Sequence, residues 1–178
     1  MQVNQIISLM DKHNAKLVLL LCHHNADPDA ICAAFAFFQL LKRLRPRLEI
    51  EIAAAQGPSR LSKHLLNFIP AKLTSHPRVD EAGLIAILDT NTVQQLDELA
   101  ERVKGSKAPI VVVDHHAIHP ETERLATLCM ADESASSTCE IVYRLFKDVG
   151  VNLAEIEAKA LFLGIAFDTR HFVLASST

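Results

Sequence analysis

Short apolar runs alternate with amphipathic segments along most of the chain. Continuous apolar runs of strand length are typical of strands that are buried on both faces of a sheet. Four runs predict strands, and a fifth is a further candidate: LVLLL (17–21), LEIEIAAA (48–55), LIAIL (84–88), IVVV (110–113) and the candidate ATLCM (126–130). Helices are predicted over 29–45, from 57–59 through Phe68, and over 92–105, 136–149 and 153–167.

The predicted helix over 29–45 has clear boundary signals. Asp29 stands at the N-cap position, and Pro46 lies just beyond the last turn. Alternation of strands and helices, with continuous apolar strands, predicts an α/β fold in which a mostly parallel β-sheet is flanked by helices on both faces. No repeat or linker divides the sequence, so we predict one domain over 1–178. The pattern leaves the strand order open.

The composition is that of a soluble globular protein. The chain has 178 residues, of which 49% are hydrophobic, enough to bury a core. A net charge of −3 argues against bulk electrostatic binding to a nucleic-acid duplex but leaves a local basic groove open. The four cysteines form no CxxC pair, which fits buried thiols in a reducing compartment. Without a signal peptide or about 18 uninterrupted apolar residues, we predict a cytoplasmic protein with no membrane partner.

Side chains that can bind metals or carry protons follow three of the predicted strands. In a parallel sheet the carboxyl ends of the strands share one edge, which is where ligands bind in open α/β folds. A further aspartate follows the last predicted helix and is expected to join them. The candidates are His23, His24, Asp27, Asp29, Asp89, Asp114, His115, His116 and Asp168.

Each candidate also has a structural explanation when it is taken alone. For a single aspartate at the position of Asp27 or Asp29, capping of the following helix is the simpler explanation. Asp89 could belong to the start of the next helix. His115 and His116 are harder to explain, because two imidazoles at the end of a buried strand meet no structural need there. Since these explanations would all have to hold at one edge, we favour a functional cluster.

The carboxylates of this cluster need positive charge nearby. Unpaired, they would repel one another and shift each other's pKa, and few Lys or Arg residues lie near the motifs. Two divalent cations would balance the four aspartates, Asp27, Asp29, Asp89 and Asp168. Mixed carboxylate and imidazole ligands favour Mn²⁺, with Mg²⁺, Co²⁺ or Fe²⁺ as alternatives. Metals about 3.5–4 Å apart typically serve phosphoryl hydrolysis.

Four ordered motifs resemble those of the DHH phosphoesterase superfamily. They are HHNADPDA (23–30), similar to the first motif HxxxDxD, then ILDT (87–90), VVVDHH (111–116) and GIAFDTRHF (164–172). The resemblance implies a Rossmann-like domain that hydrolyses phosphoric ester bonds. The superfamily includes RecJ-like exonucleases, phosphodiesterases of short oligonucleotides and cyclic dinucleotides, and family II inorganic pyrophosphatases.

The resemblance also implies a role for each residue. Asp89 would bridge two metals, and a water or hydroxide between them would be the nucleophile. His116 would contact the substrate phosphate, while Asp114 would orient the histidines. The implied ligands of one metal are His23, Asp27 and Asp89, and those of the other are Asp29, Asp89, His115 and Asp168.

Some positions near the motifs keep two interpretations. His24 would reach the phosphate or only pack, and Arg170 would bind substrate or be a solvated surface charge. The stretch DESASST (132–138) enters a helix. Its hydroxyl and N–H groups could bind phosphate, although N-capping by a serine is the simpler explanation.

The sequence departs from the family pattern in two places. Residues 31–33 (Ile-Cys-Ala) replace a common Gly-Ser pair, which is expected to change helix packing and leave the metal ligands in place. The usual second, substrate-binding domain is not part of this sequence. If the sequence is one domain cut from a longer protein, metal binding should survive, whereas turnover and selectivity need not. If it is a naturally short member of the family, neighbouring subunits of a homo-oligomer would complete the site.

Three functions follow from these observations. We favour a metal-dependent phosphodiesterase of exonuclease type that acts on short oligonucleotides, dinucleotides or single-stranded nucleic acid. The alternatives are an inorganic pyrophosphatase and a non-catalytic nucleotide-binding domain. The sequence shows no stripe of aromatic residues for base stacking, which favours a short substrate or one held by another domain.

Overall fold

Five parallel strands form the central sheet of the computed structural model, which describes residues 2–173. The strands are β1 (Leu17–Cys22), β2 (Glu49–Ala54), β3 (Leu84–Leu88), β4 (Ile110–Asp114) and β5 (Leu128–Ala131). They lie in the order β2-β1-β3-β4-β5, and every neighbouring pair is parallel. The prediction of an α/β fold with a mostly parallel sheet is confirmed, and all five candidate strands are present.

The apolar runs form strands because both faces of the sheet are covered. Every residue of β1, β3 and β4 is buried. Within β1, Val18 and Leu20 enter one core, while Leu19 and Leu21 enter a second core on the opposite face. A strand with no solvent-facing side gains from apolar residues at every position, which explains the continuous runs.

Seven α-helices surround the sheet in the described part of the chain. They are α1 (Gln2–Lys12), α2 (Pro28–Leu44), α3 (Arg60–Leu65), α4 (Ala100–Lys104), α5 (Pro120–Leu125), α6 (Thr138–Asp148) and α7 (Glu155–Asp168). The sequence pattern did not predict α1 or α5. In α1 the apolar residues Val3, Ile6 and Met10 recur at helical spacing and are buried in the same core as α2 and α6.

The predicted helix over 92–105 is wrong in its first half. Residues Val93–Leu99 form a 3₁₀ segment, and the α-helix begins only at Ala100. Asp97 interrupts the segment with φ 50° and ψ −121°, which an α-helix does not allow. Just before this kink, the carbonyl of Gln95 accepts the backbone N–H of His24 at 2.7 Å, so a tertiary contact holds the irregular turn.

The strand order places a crevice between β1 and β3, at the carboxyl ends of the strands. The connection that leaves β1 packs α2 on one face, whereas the connection that leaves β3 packs the 3₁₀ segment and α4 on the other. In a sheet of this order, the loops after the first and third strands therefore separate and leave a cleft between them. Within residues 2–173, no helix has the length and apolar character needed to cross a membrane.

Candidate metal centre

The cleft between β1 and β3 collects the predicted metal ligands. Three groups of acidic and histidine side chains have one donor atom each within 4.8 Å of the others in the group. Two of these groups share Asp89, and two share His115. The groups are His23, Asp27 and Asp89; Asp29, His115 and Asp168; and Asp89, Asp114, His115 and His116.

The first group lies in the loop after β1. Asp27, and not Asp29 as predicted, is the N-cap of α2, and its Oδ1 accepts the N–H of Ala30 at 3.1 Å. His23 Nδ1 bonds the carbonyl of His24 at 2.8 Å, which places the ring proton on Nδ1. His23 Nε2 then faces Asp27 Oδ1 and Asp89 Oδ2, each at 3.9 Å. Burial lowers the pKa of His23, but Asp27 and the His24 carbonyl raise it overall.

Asp29 is fully buried in the first turn of α2. Its two carboxylate oxygens accept backbone N–H groups from the start of α6, Oδ2 from Thr138 at 2.7 Å and Oδ1 from Cys139 at 3.0 Å. Burial, with the charge of Asp168 adding to it, raises the pKa of Asp29 to about 7 despite these donors. The N–H groups at the start of α6 are therefore occupied by a carboxyl group of this protein.

Asp89 stands between the first and second groups. It follows β3 in the left-handed region, with φ 51°, and its N–H extends the ladder to Val113 at 3.0 Å. Its Oδ2 faces His23, while its Oδ1 lies 3.7 Å from His115 Nε2 and accepts the hydroxyl of Thr138 at 2.9 Å. Burial and the nearby carboxylates of Asp29 and Asp27 raise the pKa of Asp89.

The second group contains a buried nitrogen without a hydrogen bond. His115 Nε2 lies 3.1 Å from Asp168 Oδ2 and near Asp89, yet it makes no hydrogen bond to any described residue. Burial and the neighbouring His116 lower the pKa of His115, which favours the neutral imidazole. A neutral nitrogen lone pair between two carboxylates is well placed to bind a cation. The donor set of carboxylates and imidazole fits a divalent metal.

Asp114 holds His116 at the end of β4. Its Oδ1 accepts both the backbone N–H and the ring Nδ1–H of His116, each at 2.8 Å. This hydrogen bond is the main reason why the pKa of His116 is raised. The side chain of His116 is 52% exposed, whereas Asp114 is fully buried. Asp114 thus orients one of the two histidines, His116, through a direct hydrogen bond.

His24 and Arg170 lie outside the three groups. His24 is exposed, and its Nδ1 is held by the carbonyl of Gln95 at 3.1 Å, so it stands at the rim of the cleft. Arg170 is exposed just after α7 and forms no ion pair with any described residue. Neither side chain has a contact that assigns it to a substrate.

The start of α6 supplies contacts that the sequence pattern did not reveal. Within 132–138, Ser137 is the N-cap of α6 and accepts the N–H of Glu140 at 3.1 Å, so the capping interpretation is confirmed. The contacts of Thr138 with Asp29 and Asp89, and of Cys139 with Asp29, were not predicted. The signal available was a Ser-Ser-Thr run before a helix, which indicates a cap and says nothing about distant partners.

The sequence model of the family described as "DHH family, N-terminal domain" matches residues 17–165, from β1 into α7. The chain belongs to the DHH family. The predicted resemblance to the DHH superfamily is therefore confirmed, and the matched range contains the first three motifs and the start of the fourth.

Two curated proteins are similar in sequence to most of this chain. An uncharacterized protein of Methanocaldococcus jannaschii is 35% identical over 169 residues, which cover 90% of this chain and 47% of that protein. A probable manganese-dependent inorganic pyrophosphatase of Streptococcus agalactiae is 30% identical over 154 residues, 85% of this chain and 48% of that protein. The chain of this DHH-family protein spans about half the length of these curated relatives.

A solved structure shares the fold. An exopolyphosphatase-related protein from Bacteroides fragilis superposes with a TM-score of 0.83 at 19% sequence identity. The match covers 99% of this chain and 52% of that one. At this identity, the likeness establishes the architecture of the DHH domain and leaves its chemistry to the residues of the site.

Proposed function

We propose that this DHH domain is the metal-binding half of a hydrolase that cleaves phosphoric ester or anhydride bonds with two divalent cations. The observation that carries the proposal is the position of Asp89, whose two oxygens face different histidines. Oδ2 faces His23 and Oδ1 faces His115, at 3.9 and 3.7 Å. A carboxylate in this position is suited to bridge a pair of cations.

The proposed ligands divide into two sets that share this bridge. The charges agree with the proposal, because buried carboxylates with raised pKa values gain most from a nearby cation. Mn²⁺ suits mixed carboxylate and imidazole donors, and the Streptococcus agalactiae relative is named manganese-dependent. The first set is His23, Asp27 and Asp89. The second is Asp29, His115 and Asp168, to which the proposal adds Asp89 because its Oδ1 lies 3.7 Å from His115 Nε2. When bound, such ions polarise phosphoryl oxygens and activate water for attack at phosphorus.

His116 would bind the substrate phosphate. The hydrogen bond between its Nδ1–H and Asp114 fixes the ring and leaves Nε2 for a partner outside the protein. In the protonated ring, which the raised pKa of His116 favours, Nε2–H donates to a phosphoryl oxygen and stabilises the negative charge that develops there during hydrolysis. Asp114 would hold this geometry without touching the phosphate, as an orienting carboxylate does for a catalytic histidine.

Two substrate classes are proposed for the same centre. The first is a phosphodiester in a short oligonucleotide, a dinucleotide or the end of a single strand. The second is inorganic pyrophosphate, which is favoured by the name of the Streptococcus agalactiae relative. Both present a phosphorus flanked by oxygens to the metals. They differ in what extends past the cleft, where His24 and Arg170 would meet the substrate.

The test begins with metal binding and then separates the substrates. Mn²⁺ is titrated calorimetrically into the full chain and into Asp89→Asn, which keeps the shape of the side chain but removes its charge. We expect two Mn²⁺ ions per chain for the wild type and weakened binding for the variant. The same samples are then incubated with a labelled dinucleotide and, separately, with pyrophosphate.

Each outcome has a distinct meaning. Cleavage of the dinucleotide alone supports the phosphodiesterase, and cleavage of pyrophosphate alone supports the pyrophosphatase. Binding of two Mn²⁺ ions with neither substrate cleaved would support the metal centre and would count against both proposed substrates for residues 1–178. Absence of Mn²⁺ binding would overturn the proposal.

A further inference from the structure

Thr138 links two buried carboxylates of the cleft, those of Asp29 and Asp89. Its backbone N–H donates to Asp29 Oδ2 at 2.7 Å, and its hydroxyl donates to Asp89 Oδ1 at 2.9 Å. Among the hydrogen bonds of residues 2–173, no other residue reaches both carboxylates. We infer that Thr138 is a positioning residue that sets the orientation of Asp89 between the two donor groups, an inference that rests on the proposed function.

The hydroxyl of Thr138 is available to bind Asp89 because Ser137, and not Thr138, caps α6. Ser137, one position earlier, is the N-cap of α6 and accepts the N–H of Glu140. Thr138 is fully buried, so water does not compete for its hydroxyl. The hydroxyl proton therefore goes to Asp89, the acceptor in reach. Ser137 therefore stabilises the start of α6, and Thr138 holds the carboxylate of Asp89.

The orientation of Asp89 decides whether one carboxylate can serve two ions. The terminal torsion of an aspartate is broad and has no strongly preferred value of its own. The Thr138 bond selects the rotation in which Oδ1 lies 3.7 Å from His115 Nε2 and Oδ2 lies 3.9 Å from His23 Nε2. Because a carboxylate oxygen has two lone pairs, Oδ1 can accept this hydroxyl and still bind a cation.

The test compares two substitutions that differ in the hydroxyl. Thr138→Val keeps the branched shape and removes the donor, whereas Thr138→Ser keeps the donor and removes a methyl group. Removal of a hydrogen bond to a metal ligand typically weakens metal binding by about 10–100-fold. We expect a Mn²⁺ affinity reduced by that factor in Thr138→Val and an affinity within about threefold of wild type in Thr138→Ser.

Two measurements report on the position of Asp89 independently of hydrolysis. Calorimetry gives the number and affinity of Mn²⁺ ions, and electron paramagnetic resonance detects the coupling between two Mn²⁺ ions that share a bridge. Thr138→Val should lose the coupled signal before it loses the first ion. The matched control is Thr122→Val, because Thr122 is also buried and its hydroxyl accepts the N–H of Val93 at 2.8 Å. That variant should bind Mn²⁺ as the wild type does.

The outcomes separate this inference from the proposed function. If the wild type binds no Mn²⁺, both fall together. If the wild type binds a coupled pair and Thr138→Val binds it equally well, the inference alone is overturned. It is also overturned if Thr138→Ser is as defective as Thr138→Val, or if Thr122→Val shows the same defect. Should Thr138→Val fail to fold, Thr138→Ala removes the same hydroxyl and decides the question by the same two measurements.

Discussion

Gly164 of α7 lies directly against Cys139 of α6, with no space for a side chain between them. A Cβ atom on Gly164 would overlap Cys139 Sγ and lie 3.0 Å from Asp29 Oδ1. This close approach is what allows α7 to carry its last residue, Asp168, to within 3.1 Å of His115. The second donor group therefore depends on the packing of two helices as much as on its own residues.

Substitution of Gly164 by alanine should weaken this group. Alanine in a helix is favoured over glycine by about 1 kcal/mol, whereas overpacking of a core costs typically about 1–3 kcal/mol. We expect a lower thermal midpoint, together with reduced Mn²⁺ affinity at the set that contains Asp168. Gly105→Ala is the control, because a Cβ there meets only the carbonyl of Glu101 at 3.4 Å and the carbonyl of Arg102 at 3.9 Å. Unchanged Mn²⁺ binding in Gly164→Ala would contradict this account of how Asp168 is placed.

The fold was predictable where burial alone decides the local structure. In β1, β3 and β4 every position is buried, so the strands are visible as continuous apolar runs. The segment 92–105 has an equally clear amphipathic pattern, yet it kinks at Asp97. The kink lies beside the contact between His24 and Gln95, which join segments far apart in sequence. A local pattern carries no information about such a contact.

The candidate site also has a part that the sequence predicts and a part that it does not. His23, Asp89 and His115 could be placed together from sequence because the carboxyl ends of parallel strands share an edge. The partners of Asp29 could not, since they are backbone N–H groups of Thr138 and Cys139, a kind of donor that every residue type except proline offers. Functional side chains at the ends of strands can be recognised in a sequence. Hydrogen bonds from backbone N–H groups at a helix terminus are found only once the packing of that helix is known.

Loss of the Asp114 carboxylate should change His116 without removing the metals. The hydrogen bond to Asp114 is the main cause of the raised pKa of His116, so Asp114→Asn should lower that pKa toward or below its ordinary value. NMR titration of the His116 ring in metal-free protein measures the change directly. Because Asp114 is not among the proposed ligands, calorimetry should still find Mn²⁺ bound with an affinity near that of wild type. An unshifted His116 pKa in the variant would show that Asp114 does not set the protonation of this ring.

The metal-free protein should lose stability as the pH rises from about 4 to about 7. Asp29 has a pKa of about 7 when folded, against an ordinary value of 3.8. Between these values the folded state keeps a proton on Asp29 that the unfolded state has lost. The Asp29 contribution therefore lowers the free energy of unfolding by up to about 1.4 kcal/mol per pH unit and levels off above pH 7. The raised pKa of Asp89 acts in the same direction. Denaturant unfolding in EDTA at pH 5.0 and 7.5 measures the difference.

Saturating Mn²⁺ should reverse the pH dependence of stability, because the ion displaces the proton and binds better as the pH rises. If stability in EDTA increased between these two pH values, Asp29 would have to be ionised in the metal-free fold, and burial would not control its charge.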